Sequence, residues 1–427
     1  MHVAFFIYGN CCGNLFLKDS AEYVAQSENI LNHGTWYSGN MDETVIPQMF
    51  SQRPPIYGFF ILLLHFLVNN ILIISIVQSL LSLFNIFIAY RIVKTLAIKL
   101  LNPFLFLIPF LFFPSQFIYA NMVMPEMLLQ SCVMLAVYFL LMYLKENQLS
   151  SFVFYQLAIT AALLVKPVFF IFPLFSLAFF LIVEKNIQHK LRSAFGHLIP
   201  VIAILVVSFV NAHHTGYFEY SSIPRKLMIN YSARYSAAFN HGDTFALQQI
   251  ESIEQNAAQL RSYPEKAGYV KNAAMDIIKE NPGAFALLTI KGVANFFLDH
   301  SRYDLESFSG NIPAENITGW RKTYNKDGWK GVIAYITSFN PFYYTYLLIS
   351  MFVNLILLIG LFHFARMKEI PLPIRLVILF LIFYVAIMTG MTGTTRFRLP
   401  VFLLIVIANS IVWGQKYFLI KSKSTTM

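Results

Sequence analysis

Two carboxylic acids stand where an apolar stretch meets polar sequence. Asp19 follows the apolar residues 3–17, and Glu126 opens the apolar stretch 126–144. If these stretches lie in a membrane, a carboxylate at their edge costs free energy unless it is hydrated or paired, so its position indicates a function. One acid could deprotonate a hydroxyl group while the other orients it. The simpler alternative is that Asp19 caps a following helix and Glu126 sits favourably at a helix N-terminus.

Four basic residues also stand at the ends of apolar segments. They are Arg53, Lys166, Arg396 and Arg398. Together they could bind a phosphate or diphosphate at a membrane surface, for which the planar fork of arginine is well suited. Taken singly, each is more simply explained as a cation that reaches from the hydrocarbon region to lipid headgroups.

The composition of the chain predicts a membrane protein. Of the 427 residues, 57% are hydrophobic and 12% are charged, and the mean hydropathy is +0.60. A soluble protein carries about twice that charged fraction, so an all-α integral membrane protein is expected. The three cysteines predict neither a disulfide framework nor a metal site, since two are adjacent and the third lies within a span. The spans are predicted at 71–93, 102–119, 126–144, 152–165, 168–183, 194–211, 342–364, 374–390 and 399–415.

Basic residues define the predicted orientation of these spans. The net charge is +10, from 31 Lys/Arg and 21 Asp/Glu. Five short loops hold 13 of the basic residues and three of the acids, so the whole positive excess falls on one face, which is therefore cytoplasmic. The charge reflects topology, and no nucleic-acid partner is expected. The five loops are Arg91–Lys99, Lys145–Ser151, Glu184–Arg192, Ala365–Arg375 and the tail from Lys416.

The opposite, extracytoplasmic face carries most of the polar sequence. The chain divides into an N-terminal transmembrane module 1–211 with a first outer loop 18–54, an extracytoplasmic region 212–341, and C-terminal transmembrane helices 342–427. The stretch 3–17 is short for a span and has no basic residues before it, so no signal peptide is expected. No nucleotide-binding glycine loop occurs, which argues against an ATP-driven pump. Helices at the membrane interface are predicted at 55–68 and 282–298.

These motifs, in this order, resemble those of the polytopic GT-C glycosyltransferases that use a polyprenyl-phosphate sugar. The likeness is to the bacterial branch related to protein mannosyltransferases and lipid A aminoarabinose transferases. In that family, the pattern D-x-x-x-Y-x-x-x-A/S-x-x-L-x-x-G after the first span precedes basic-Pro-Pro, E-x-L, Arg-Pro and R-Y/F-R-L-P motifs. Lysine replaces the usual arginine of the Arg-Pro pair here, which keeps the charge but loses bidentate geometry. The matching residues are Asp19, Tyr23, Ser27, Ile30 or Leu31, and Gly34; Arg53-Pro54-Pro55-Ile56-Tyr57; Glu126-Met127-Leu128; Lys166-Pro167; and Arg396-Phe397-Arg398-Leu399-Pro400.

The resemblance implies a GT-C bundle of about 9–11 transmembrane helices and an inverting sugar transfer. Asp19 would be the general base, Glu126 would orient the acceptor, and the four basic residues would hold the donor phosphate. Tyr23 and Tyr57 are expected to contact the acceptor or the sugar. The expected donor is a polyprenyl-phosphate sugar, undecaprenyl-linked in a bacterial plasma membrane, and the acceptor is a glycan, a lipid or a protein. No cofactor is expected, although carboxylates facing a phosphate could bind a divalent cation.

Two other functions remain open at this stage. A transporter or flippase of lipid-linked sugars would need ionisable residues near the bilayer midplane and paired repeats with broken helices, whereas the acids here stand at the ends of the spans. A polysaccharide ligase or polymerase would use a lipid diphosphate donor on a different fold.

Overall fold

The computed structural model describes residues 1–96, 103–184, 186–310, 328–331, 333–334 and 340–424. Every regular element in these residues is helical, so the prediction of an all-α protein is confirmed. Six of the described helices are long and apolar enough to cross a membrane, which confirms the prediction of a multi-span membrane protein. Those six are Leu72–Leu96, Glu126–Glu146, Lys190–Thr215, Pro341–Ala365, Leu372–Thr392 and Thr395–Gly414.

Helices α1 to α12 lie within the first 215 residues, and prolines divide several of them. The predicted span 102–119 is wrong as one helix, because α6 ends at Leu111 and Pro114 opens the short helix α7. The predicted break after α9 is present, since Lys166 is extended and Pro167 begins a 3₁₀ turn. The helices are α1 His2–Cys11, α2 Lys18–His33, α3 Gln48–Gln52, α4 Ile56–Leu67, α5 Leu72–Leu96, α6 Pro103–Leu111, α7 Ser115–Ile118, α8 Glu126–Glu146, α9 Leu149–Val165, α10 Phe172–Val183, α11 Ile187–Gly196 and α12 Leu198–Thr215.

The described part of the region 212–341 is also helical. A π-helical turn, Met228–Ala233, lies between α13 and α14. Alanine and isoleucine side chains of this turn and of α14 to α16 pack into a core of their own. The predicted helices at 55–68 and 282–298 are present as α4 and α17. The remaining helices are α13 Ile223–Leu227, α14 Arg234–His241, α15 Asp243–Ala258, α16 Tyr263–Glu280, α17 Pro282–Leu298, α18 Arg302–Ser309, α19 Pro341–Ala365, α20 Leu372–Thr389 and α21 Thr395–Ser424.

Helix α21 forms the centre of the bundle. In its apolar part 83% of the residues are buried, and α5, α6, α8, α19 and α20 pack against it. The carbonyl of Leu399 accepts a hydrogen bond of 2.8 Å from the side-chain amide of Gln130, and that amide pairs with Gln116 over 2.8 and 2.9 Å. Because buried amides are costly unless paired, these bonds fix the first turns of α21 against α7 and α8.

Helix α17 lies directly against the segment that leads into α21. Gly292 has no room for a side chain, because a Cβ atom there would stand 2.0 Å from the carbonyl oxygen of Gly390. A Cβ atom on Gly393 would likewise stand 2.1 Å from the carbonyl oxygen of Gly292. The amide of Asn295 donates to the carbonyl of Gly393 over 2.5 Å. The N-terminus of α21 is therefore held by α17 as well as by the bundle.

Candidate active site

Six charged side chains meet where α2, α8 and α21 begin. Three are carboxylates and three are cations, so their formal charges cancel. They come from five separate parts of the chain, and only the fold brings them within ion-pair distance. We call this set the ion-pair network, and its members are Asp19, Glu22, Arg53, Glu126, Lys166 and Arg396.

Asp19 lies in the first turn of α2 and is held by two arginines. Arg53 Nη2 lies 2.9 Å from Asp19 Oδ1, and Arg396 Nη2 lies 2.7 Å from Asp19 Oδ2. The side chain is 30% exposed, so one side of it faces open space. Burial alone would raise the pKa of Asp19, but the charges of Arg396 and Arg53 outweigh it and hold that pKa well below its usual range.

The alternative that Asp19 caps α2 is wrong. The N-cap residue is Leu17, whose backbone N–H donates to the hydroxyl of Ser20 over 2.9 Å. Asp19 makes its contacts with arginines instead, and these arginines come from elements distant in sequence. The carboxylate is therefore available for a role other than helix capping.

Glu126 is wholly buried at the first residue of α8. Its Oε1 accepts from Lys166 over 2.7 Å and from Arg396 over 2.6 Å. Its Oε2 is also buried and has no hydrogen-bond partner among the described residues. A buried carboxylate oxygen without a donor is costly, so Oε2 marks a place where a further donor would be accepted.

Glu22 belongs to the network although sequence reasoning did not select it. It stands three residues after Asp19 and therefore on the same face of α2. Its Oε2 lies 2.6 Å from Arg53 Nε, while Arg53 Nη2 holds Asp19. The spacing of two acids on one helical face was the available signal.

Arg53 is held in place by its own backbone as well as by the two acids. Its carbonyl accepts a hydrogen bond of 2.8 Å from the side-chain amide of Gln26, which also donates to the carbonyl of Trp36. Gln26 is wholly buried against Gly58, whose missing side chain makes room for it. Helix α2 thus carries both the acids of this part of the network and the amide that positions their arginine.

Three of the predicted site residues lie beside the network rather than in it. Arg398 is buried and points the other way, toward the carbonyls of Phe297 and Asp299. Tyr23 and Tyr57 are fully buried against each other, with ring centroids 4.9 Å apart. Contact of either ring with a sugar, or of Arg398 with a phosphate, would require the surrounding side chains to move.

Residues 52–213, which are less than half of the chain, match the family model described as dolichyl-phosphate-mannose-protein mannosyltransferase. The predicted GT-C resemblance is confirmed. The matched segment includes Arg53, Glu126 and Lys166, whereas Asp19 and Arg396 lie outside it. No curated protein matches the chain significantly.

Two solved structures are similar to the whole chain. One is the crystal structure of ArnT from Cupriavidus metallidurans in the apo state, at 11% identity and a TM-score of 0.41, with 96% of this chain and 75% of that chain covered. The other is the same protein bound to undecaprenyl phosphate, at 13% identity and a TM-score of 0.40, with 97% and 76% covered.

Proposed function

We propose that the protein is a membrane glycosyltransferase that moves a sugar from a polyprenyl-phosphate donor to an acceptor hydroxyl. The observation that carries this proposal is the pair of arginines on the two oxygens of Asp19. In an inverting transfer, the phosphate and the general base lie on opposite sides of the same sugar carbon. Here two cations lie within 2.9 Å of a partly exposed carboxylate, so one site offers both a phosphate ligand and a base. The match of residues 52–213 to a mannosyltransferase family supports the same class of reaction.

Arg53 and Arg396 are the proposed phosphate ligands. Both guanidinium groups are held by carboxylates at distances of 2.6 to 2.9 Å, so their forks are already oriented. A phosphate oxygen can replace a carboxylate oxygen in such a contact because both are bidentate acceptors. Lys166, which shares Glu126 with Arg396, supplies a third positive charge nearby.

Asp19 is the proposed general base. With both arginines on its oxygens its pKa is low and it is a weak base. When Arg53 and Arg396 contact the donor phosphate, their positive charge is shared between the phosphate and Asp19. The pKa of Asp19 then rises, so Asp19 becomes a stronger base once the donor is bound. The acceptor oxygen then attacks C1 of the sugar, its proton passes to Asp19, and the C1–O bond to phosphate breaks with inversion.

Glu126 has the proposed role of orienting the acceptor or the sugar. Its Oε1 keeps Arg396 and Lys166 in place, while Oε2 is free to accept one hydroxyl group. The leaving phosphate is stabilised by the arginines, so this scheme requires no metal or other cofactor. The donor's polyprenyl chain would lie against the apolar outer surface of the bundle, and the active site would face away from the cytoplasm.

The test is turnover of a polyprenyl-monophosphate sugar by the purified full chain, without ATP or an ion gradient. We expect release of polyprenyl phosphate that depends on an added acceptor and is lost in Arg396→Ala. Arg261→Ala is the matched control, since Arg261 is exposed and outside the network. Movement of intact lipid-linked sugar across a vesicle without its cleavage would instead identify a transporter. A requirement for a lipid diphosphate donor would identify a ligase or polymerase.

A further inference from the structure

The residue before Arg396 is anchored by two carboxylates that lie outside the ion-pair network. The backbone N–H of Thr395 donates to Asp299 Oδ2 over 2.9 Å, and its hydroxyl lies 2.8 Å from Asp304 Oδ2 and 3.3 Å from Asp299 Oδ2, so Asp304 is its nearer acceptor. Asp299 follows α17, and Asp304 lies in α18. Carboxylates at a helix N-terminus satisfy free N–H groups and interact favourably with the helix dipole. Asp299 and Asp304 of the region 212–341 thus cap α21 at the residue before Arg396.

The hydrogen-bond partners of the Asp304 side chain are hydroxyl groups. Besides Thr395, its carboxylate accepts from Ser115 over 2.6 Å and from Tyr119 over 2.8 Å, and the residue is only 2% exposed. In the part of the chain that the structure describes, no ion pair includes Asp304. Because burying an unpaired carboxylate is costly, simple packing would favour an uncharged side chain here.

The ionised form is what lets Asp304 hold all three hydroxyl groups. An ionised carboxylate only accepts hydrogen bonds, whereas a protonated acid or an amide must also donate one. Burial raises the pKa of Asp304 to about 6, while the hydroxyl groups of Ser115, Thr395 and Tyr119 oppose that rise. The carboxylate is therefore still mainly ionised at neutral pH, and α7, α18 and α21 are joined at one point.

The bonds around Thr395 leave little freedom for the first turn of α21. Arg398 ties that turn to the carbonyls of Phe297 and Asp299. The segment before it is held against α17, where an added Cβ atom on Gly292 would collide with the backbone. Thr395 immediately precedes Arg396, so a change in the contact of its hydroxyl with Asp304 acts on the direction of Arg396.

We propose that Asp304 is a positioning residue, which acts through the Thr395 hydroxyl to fix the first turn of α21 and aim Arg396 at Asp19 and Glu126. This proposal rests on the proposed function, in which Arg396 holds the donor phosphate. Asp304 touches neither the donor nor the acceptor in this scheme. Its effect passes through one hydrogen bond of 2.8 Å.

The experiment compares Thr395→Val, which keeps the shape but loses the hydroxyl, with Thr395→Ser, which keeps the hydroxyl. The readout is the affinity of the purified full chain for undecaprenyl phosphate in nanodiscs. Because a hydrogen bond to a charged group is stronger than one between neutral groups, Thr395→Val should weaken binding of undecaprenyl phosphate about tenfold. Thr395→Ser should stay within about twofold of the wild-type affinity. In an Arg396→Ala background, Thr395→Val should have no further effect.

The proposal is overturned if Thr395→Val binds undecaprenyl phosphate with wild-type affinity. It is also overturned if Thr395→Val and Thr395→Ser weaken binding equally, or if Thr395→Val still weakens binding in the Arg396→Ala background. Should Thr395→Val fail to fold, Asp304→Asn tests the same contact, since it removes a buried charge and keeps the size. Asp304→Asn should also weaken binding about tenfold, and unchanged binding would overturn the proposal.

Failure of the proposed function gives a different pattern. In that case the wild-type chain would not bind undecaprenyl phosphate at all, and the positioning role is read from melting temperatures. Thr395→Val should then lower the melting temperature more in the wild type than in Arg396→Ala, because in the wild type it also loosens the ion pairs of Arg396 with Asp19 and Glu126. Equal lowering in both backgrounds would overturn the positioning role on its own.

Discussion

Asp19→Asn is the most direct test of a general base in the ion-pair network. Asparagine keeps the size of the side chain and can still accept from one arginine, but it cannot take up a proton. We expect turnover to fall by about 10²–10⁴, with no rise in the KM for the donor, because Arg53 and Arg396 remain free to bind phosphate. Steady-state kinetics at equal protein abundance measure both quantities.

The matched control for that substitution lies on the same helix. Glu28→Gln removes an exposed acid of α2 that takes no part in the network, and it should turn over like the wild type. If Asp19→Asn also turns over at the wild-type rate, Asp19 is only an ion-pair partner and the base lies elsewhere.

A second residue-scale prediction concerns stability and pH at Asp304. Its pKa of about 6 exceeds the ordinary 3.8 of the unfolded chain, so the folded protein holds the proton to higher pH. Stability is therefore reduced above pH 6, by up to about 3 kcal/mol, and this loss is recovered as the pH falls from 6 to 4. The titratable and charged groups that interact with the carboxylate are Asp299, Tyr119, Tyr303 and Arg398.

Asp304→Asn removes that pH-dependent contribution. The melting temperature of the variant relative to the wild type should be highest near pH 8 and should decrease toward pH 4. Measuring only the difference between the two proteins cancels the titration of other groups. A difference that stays constant over this range would show that the carboxylate does not titrate there.

At the scale of elements, the proposed phosphate site joins the segment after α3 to the first turn of α21. Arg53→Ala and Arg396→Ala should each weaken donor binding about 100-fold, since losing one charge-assisted contact costs a few kcal/mol, while the protein still inserts in the membrane. Affinity for the lipid-phosphate sugar, measured with Arg261→Ala as the control, checks this. Wild-type affinity in both variants would leave these arginines as ion-pair partners of the acids, with no part in donor binding.

The same elements show how far the sequence could predict the site. The hydropathy pattern and the positions of the prolines predicted most helices. The position of Asp19, Arg53 and Glu126 at the ends of apolar segments predicted that they are site residues. The direction of a side chain from a helix is set by packing, which explains why Arg398 resembled a site residue although it points toward the carbonyl of Asp299. Asp304 gave no signal, because a buried acid in a polar segment resembles any solvated one.

At the scale of the whole molecule, the charge distribution predicts the topology. The positive excess lies in five short loops between the predicted spans. Because basic loops stay in the cytoplasm, residues 212–341 should lie outside and the C-terminus inside. A reporter fused after Met427 should be active only in the cytoplasm. Activity of that reporter in the periplasm or lumen would reverse the orientation, and it would place the ion-pair network on the wrong side for an extracytoplasmic acceptor.

The electrical neutrality of the ion-pair network has a consequence for selectivity among lipids. Three carboxylates already occupy the three cations, so the site exerts little long-range attraction on anions. A phosphate that enters only exchanges one acceptor for another, and the net gain must come from the sugar and the polyprenyl chain. Abundant anionic phospholipids, which offer neither, should compete poorly.

Nanodiscs with increasing phosphatidylglycerol content would measure that selectivity. Donor affinity of the wild type should change by less than about twofold. Glu22→Gln, which leaves Arg53 with one carboxylate instead of two, should make donor binding sensitive to the same lipid. Equal sensitivity of both proteins would contradict this account. If only Glu22→Gln is sensitive, the acids of the network serve a purpose beyond chemistry, since they keep the cations of an enzyme embedded in anionic lipid from being occupied by that lipid.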